Sequence, residues 1–142
     1  MEQLANRARN LLADTIIAAL ALFAAYLLTS ARGPGFGLSP LVVVAAQSIV
    51  YGGVACVFTW LFRRELSPWR YVSTPDALVL ARIALLTAAS FLLLNFAADR
   101  ALGLSRVVLA LAPVFQMVGA ISARMLRLSL IHISEPTRRY AI

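Results

Sequence analysis

Four long apolar runs occupy most of this chain and constrain its fold more than any other feature. They cover residues 13–30, 41–62, 77–98 and 104–125. Each has about 18–22 residues, the length that an α-helix needs to cross a hydrocarbon core of about 30 Å. The chain is 61% hydrophobic, and its 13% of charged residues lies well below the roughly 25% of soluble domains. With a mean hydropathy of +0.84, the sequence predicts an all-α membrane protein with four transmembrane helices.

The positive charges are all arginines, and their positions predict the topology. Seven flank the N-terminus, the central connection and the end of the fourth run, whereas three flank the other two connections. Cytoplasmic loops carry the excess of basic residues, so we expect an antiparallel bundle with both termini in the cytoplasm. The arginine-only, alanine-rich composition is typical of GC-rich bacterial genomes, which suggests a multi-pass protein of the bacterial inner membrane. Topology explains the net charge of +7, and no nucleic-acid partner is expected.

The C-terminal segment differs in character from the rest of the chain. Residues 128–138, with the sequence LSLIHISEPTR, resemble one reading frame of the transposase-end adaptor used to make sequencing libraries. We therefore expect residues 1–127 to form a four-helix anchor domain and residues 128–142 to be an adaptor-encoded tail that interrupts a longer protein. The alternative is a natural basic tail. If the tail is adaptor-encoded, His132, the only histidine, is not a functional ligand or base.

The central loop between the second and third runs holds the candidate interfacial residues Trp69, Arg70 and Tyr71. The two aromatic rings suit the headgroup layer because they combine an apolar body with a polar edge. The triplet Thr-Pro-Asp at residues 74–76 predicts a capped start of the third helix. Two interpretations stay open: a well-capped turn at the interface, or a contact of Trp69 and Arg70 with a lipid phosphate or a cytoplasmic domain.

Small residues recur at helical spacing in two of the predicted spans. Ser48, Gly52 and Cys56 follow one another at intervals of four residues, and Gly119 and Ala123 do the same. Such stripes allow transmembrane helices to approach closely. We therefore predict that the second and fourth helices pack closely against their neighbours along these faces.

Few polar groups lie within the predicted spans. Arg82 is the intramembrane charge, roughly 8–9 Å into the third helix by the helical rise, and its long side chain can snorkel to the cytoplasmic surface. An intramembrane charge is otherwise a candidate for function, such as transport. Gln47, Asn95 and Gln116 are expected to form hydrogen bonds between helices. Asp14 is expected at the edge of the first span.

The sequence assigns no catalytic, cofactor-binding or metal-binding residue. A metal site needs clustered His, Cys, Asp or Glu, but the chain has one cysteine, Cys56, and one histidine. There is no lysine, and no G-x-G-x-x-G motif joins a strand to a helix. The fragment itself is therefore not expected to be an enzyme.

The central loop and the spans beside it resemble the membrane region of the CapD/WbpM-like polysaccharide biosynthesis proteins. The matching residues are Trp-Arg-Tyr-Val-Ser at 69–73 with Asp76, Ser-Arg-Val-Val at 105–108, and the arginines Arg124 and Arg127. Family members often have proline where Ser105 stands. The family consists of membrane-bound nucleotide-sugar 4,6-dehydratases and epimerases.

This resemblance implies that the chain is the anchor of a truncated enzyme of envelope glycan synthesis. A cytoplasmic catalytic domain, with NAD and a nucleotide-sugar substrate, would then follow the fourth helix. The expected partners are the lipid bilayer, that missing domain and, as a further candidate, a second copy of the chain. Two alternatives stay open: the membrane region of a polyprenyl-phosphate sugar-phosphate transferase, and a small four-helix transporter.

Overall fold

The computed structural model describes residues 2–30, 38–62, 74–97 and 104–134, and these ranges are helical apart from residues 104 and 105. The helices are α1 (Glu2–Ser30), α2 (Leu38–Phe62), α3 (Thr74–Ala97) and α4 (Arg106–Ser134). Each contains a stretch of 21–23 residues that is long and apolar enough to cross a membrane. In lipid, a helix satisfies its backbone polar groups within its own segment. The prediction of an all-α protein with four membrane-length helices is confirmed.

The helix boundaries agree with the sequence signals in the middle of the chain and extend beyond the apolar runs at its ends. α3 begins at Thr74, where the Thr-Pro-Asp triplet predicts a start. α1 begins at Glu2 and α4 continues to Ser134. Glu, Gln, Leu, Ala and Arg dominate the first turns of α1, and all of them favour helix, so the helix begins well before the chain becomes uniformly apolar.

The helices form a four-membered ring in the order α1, α2, α3, α4. Among the described residues, α1 packs against α2 and α4, and α3 packs against the same two helices. The backbones of α1 and α3, and likewise those of α2 and α4, lie diagonally across the bundle.

Contacts between neighbouring helices run in opposite directions along the chain. Asp14 of α1 meets Arg124 of α4, and three residues later Ile17 lies beside Gly119. Along α2 and α3, Tyr51 meets Phe91 and Phe62 meets Arg82. The contacts thus run in opposite directions in these two pairs, and the antiparallel arrangement of the whole bundle stays a prediction. The side of the membrane on which the termini lie stays a prediction.

The distribution of polar and apolar side chains is the reverse of that in a soluble bundle. Many large apolar residues face outwards: Val42, Ile49, Leu78, Leu85 and Leu93 each expose 65% or more of their surface. Several polar residues, by contrast, are buried between the helices: Asp14, Gln47, Ser48, Thr59, Asp76, Thr87, Gln116 and Arg124. Water would penalise so large an exposed apolar surface, whereas a hydrocarbon solvent does not. This pattern supports the membrane environment independently of helix length.

The apolar core is built mainly from small residues and a few rings. Ala18, Ala25 and Ala112 are completely buried, and Tyr51 and Phe91 fill the space between them. Alanine at these positions lets the helix backbones approach closely, as is usual for helix pairs in membranes.

Candidate functional site

The predicted interfacial residues and the predicted intramembrane charge have different outcomes in the structure. Trp69, Arg70 and Tyr71 lie outside the described residues, so their role stays a prediction. Arg82 is on the exposed face of α3. Its guanidinium carbon lies 5.4 Å from the centre of the Phe62 ring, at the last residue of α2. This distance falls within the range of cation–π contacts. The side chain thus points toward the end of α2, which is the direction that snorkelling requires.

A buried ion pair joins α1 to α4, and the sequence analysis missed it. A guanidinium NH2 group of Arg124 donates a hydrogen bond to Oδ2 of Asp14 over 3.1 Å, and the two side chains are 7% and 9% exposed. Asp14 was expected at the edge of the first span. Asp14 lies six residues after the start of the candidate span Ala8–Ser30, and Arg124 lies two residues before the end of the span Arg106–Leu126. The pair therefore lies toward one end of the bundle, buried between α1 and α4. A buried carboxylate needs an opposite charge to stay ionised, which Arg124 supplies.

A second polar contact connects α2 and α4 across the diagonal of the bundle. The Tyr51 hydroxyl donates a hydrogen bond to Oε1 of Gln116 over 2.8 Å. The Tyr51 ring packs edge-on against Phe91 of α3, with the ring centres 5.2 Å apart and the planes at 87°. One tyrosine therefore connects three helices, through its hydroxyl, its ring and its backbone. The interhelical hydrogen bond predicted for Gln116 is confirmed.

The other predicted interhelical hydrogen bonds have different outcomes. The side-chain amide of Asn95 donates to the carbonyl oxygen of Phe91 over 2.8 Å, within its own helix. The prediction for Asn95 is therefore wrong, because the carbonyl one turn earlier lies within reach of the amide without any contribution from a neighbouring helix. Gln47 is buried in α2, as an interhelical role would require.

A small cavity lies between the ion pair and the Tyr51–Gln116 contact. Its volume is about 10 Å³, and its polar lining comes from Asp14, Thr59 and Gln116. Residues of α3 and α4, including Leu80 and Ala120, complete its walls. A polar cavity of this size can accommodate about one water molecule. It is far too small for a sugar nucleotide or an organic cation, so at this point the bundle interior is packed rather than open.

Two glycines lie at close contacts between helices, and both belong to stripes predicted from the sequence. A Cβ atom added to Gly52 would lie 3.1 Å from the carbonyl oxygen of Thr15 and 3.2 Å from Cβ of Ala19. A Cβ added to Gly119 would lie 2.9 Å from Cγ2 of Ile17. Both contacts are with α1, so α1 is held closely between α2 and α4. The third residue of the first stripe, Cys56, is partly buried and has a free thiol.

The described residues hold no group of three or more His, Cys, Asp or Glu side chains arranged to bind a metal ion. The chain matches no protein-family model, no curated protein and no solved structure. The function must therefore be argued from the bundle and from the sequence motifs.

Proposed function

We propose that residues 1–127 are the membrane anchor domain of a polysaccharide biosynthesis protein of the nucleotide-sugar dehydratase or epimerase type. In this proposal the anchor lies in the inner membrane of a bacterium. Both of its ends face the cytoplasm, and the natural chain continues from α4 into a catalytic domain that binds NAD. The anchor contributes attachment and orientation, and the chemistry belongs to the domain that follows.

The anchor role is supported mainly by the contacts that polar side chains make with one another inside the bundle. Arg124 binds Asp14, and Tyr51 binds Gln116. These contacts join helices to one another, and the cavity beside them has room for no more than about one water molecule. A bundle with its polar groups engaged in helix–helix contacts is suited to holding a fixed shape in the bilayer.

The enzyme type rests on the resemblance of residues 69–73 and 105–108 to the CapD/WbpM-like membrane region. Ser105 stands where that family often has proline. In the structure its hydroxyl accepts a hydrogen bond from the backbone N–H of Val107 over 3.3 Å, and its carbonyl accepts one from Leu109. Serine thus caps α4.

The transporter alternative needs a carboxylate that can exchange its partner for a proton or a cationic substrate. Asp14 lies within its span, but the guanidinium of Arg124 occupies it. Leaving that guanidinium buried without its partner would cost several kcal/mol, about 3–5 by comparison with other buried ion pairs. The ion pair therefore favours a static role for Asp14.

The test is the uninterrupted genomic reading frame beyond Arg127. We expect that frame to encode a different sequence in place of residues 128–142. A strand, a G-x-G-x-x-G turn and a helix that together bind a dinucleotide should follow. The complete protein should then bind NAD. A further membrane-associated catalytic helix would favour the sugar-phosphate transferase and contradict the proposal. The same codons continuing within one chromosomal gene would contradict the adaptor interpretation.

A further inference from the structure

Arg82 is an exposed cation in a row of side chains that face the lipid. The residues before and after it on the same face of α3 are Leu78 and Leu85, which are 68% and 65% exposed. The guanidinium therefore leaves the helix on its hydrocarbon side rather than toward the bundle interior. A charge in this position needs either water or an anionic group at the membrane surface.

The carboxylates with described side chains do not lie beside the Arg82 guanidinium. Asp14 is bound by Arg124, and Asp76 is buried on the inner face of α3. In the described part of the chain, the contact of the Arg82 guanidinium is the ring of Phe62. An aromatic ring beneath the guanidinium restricts its orientation but leaves its N–H donors available for an anion.

The contact with Phe62 also places the charge close to the membrane surface. Phe62 is the last residue of α2, and Arg63 and Arg64 follow it directly in the sequence. In the structure Arg82 therefore lies near the end of α2, and in the sequence two further arginines follow that end. A planar guanidinium binds phosphate oxygens through two parallel hydrogen bonds, and neighbouring arginines attract anionic lipid headgroups.

We propose that Arg82, oriented by Phe62, binds the phosphate of an anionic membrane lipid at the corner between α2 and α3. The site is a property of the anchor itself and does not depend on which enzyme the anchor carries. The lipid's acyl chains would lie along the exposed leucines of α3, and its phosphate would lie at the level of Phe62.

Native mass spectrometry of the full chain, released from nanodiscs of equal phosphatidylglycerol and phosphatidylcholine, tests this proposal. We expect the wild-type chain to retain phosphatidylglycerol preferentially. Arg82→Gln should lower that preference about fivefold, since one cation near the surface accounts for an effect of this size. Arg82→Lys should have an intermediate effect, because lysine keeps the positive charge but cannot form the bidentate hydrogen bonds of a guanidinium.

Arg106→Gln is the matched control, because Arg106 is an exposed arginine at the start of α4 and the predicted topology places it at the opposite membrane surface. It should lower the preference for phosphatidylglycerol clearly less than Arg82→Gln does, because the proposal places the bound phosphate at Arg82. Added inorganic phosphate should not displace the bound lipid, and displacement would mean that the site binds free phosphate instead. Equal retention by Arg82→Gln and Arg106→Gln would overturn the proposal. Helicity by circular dichroism confirms that each variant is folded.

Discussion

Two adjacent glycines of α2 provide a sharp test of the helix packing. An added Cβ at Gly52 would lie 3.1 Å from the Thr15 carbonyl oxygen and 3.2 Å from Cβ of Ala19, whereas an added Cβ at Gly53 meets nothing within 4 Å. The obstacle at Gly52 is partly the backbone of α1, which cannot rotate away as the end of a flexible side chain can. Alanine at position 52 should therefore push α1 and α2 apart, and alanine at position 53 should not.

The size of the difference follows from two opposing contributions. Overpacking costs about 1–3 kcal/mol, while replacing glycine by alanine within a helix favours the helix by about 1 kcal/mol. Gly52→Ala should therefore lower the free energy of unfolding by up to about 2 kcal/mol, and Gly53→Ala should raise it by up to about 1 kcal/mol. Because both variants share the change in propensity, the gap between them, about 1–3 kcal/mol, measures the contact with α1.

The assay is reversible unfolding of the full chain in mixed micelles of dodecyl maltoside and sodium dodecyl sulfate, followed by far-ultraviolet circular dichroism. Each variant is compared with the wild-type chain at the same detergent composition. Equal stability of the Gly52→Ala and Gly53→Ala proteins would refute the close approach of α1 and α2 at this point. A larger loss of stability in Gly53→Ala than in Gly52→Ala would mean that Gly53, and not Gly52, faces α1.

Further predictions concern the two polar contacts of the interior and use the same unfolding assay. Asp14→Asn and Arg124→Gln should each cost about 3–5 kcal/mol, because each leaves a buried charge without its counter-charge. The double variant should cost clearly less than the sum of the two, and additive losses would argue against the ion pair. Tyr51→Phe should cost about 1–3 kcal/mol, because it leaves Oε1 of Gln116 without its donor while the ring contact with Phe91 remains. Tyr51→Leu should cost more because it also removes that ring contact, and equal losses would show that the ring contributes nothing.

The sequence predicts the helices well because the membrane leaves few alternatives. A long apolar run must form a helix in lipid, and Thr74 with its two following residues is a local signal for the start of α3. The close approaches at Gly52 and Gly119 were also readable from spacing alone, since glycine and small residues at intervals of four form one helix face. Each of these features depends on residues within a few turns of one another.

The ion pair could not be predicted in the same way, because its partners are 110 residues apart and local patterns do not say which helices are neighbours. A partial signal was present. Arg124 ends a row of buried residues spaced four apart, Val108, Ala112, Gln116 and Ala120, and Asp14 begins a similar row with Ala18 and Leu22 on α1. Extending each apolar face by one turn would have placed both charges inside the bundle.

Asn95 illustrates the opposite error. A single amide near the end of a span was assigned to a neighbouring helix, but its own helix offers a carbonyl at the right distance. For short polar side chains the bond to the preceding turn competes directly with any interhelical bond. Composition alone cannot decide between the two.

Cysteine accessibility in intact cells tests the four-span anchor most directly. In a Cys56→Ala background, Ser39→Cys and Ser67→Cys introduce single thiols before α2 enters the membrane and in the central loop. A membrane-impermeant maleimide added outside should label position 39 only, and position 67 should be labelled only after the cells are opened. Labelling of both positions from outside, or of position 67 alone, would contradict the four-span topology with both ends in the cytoplasm.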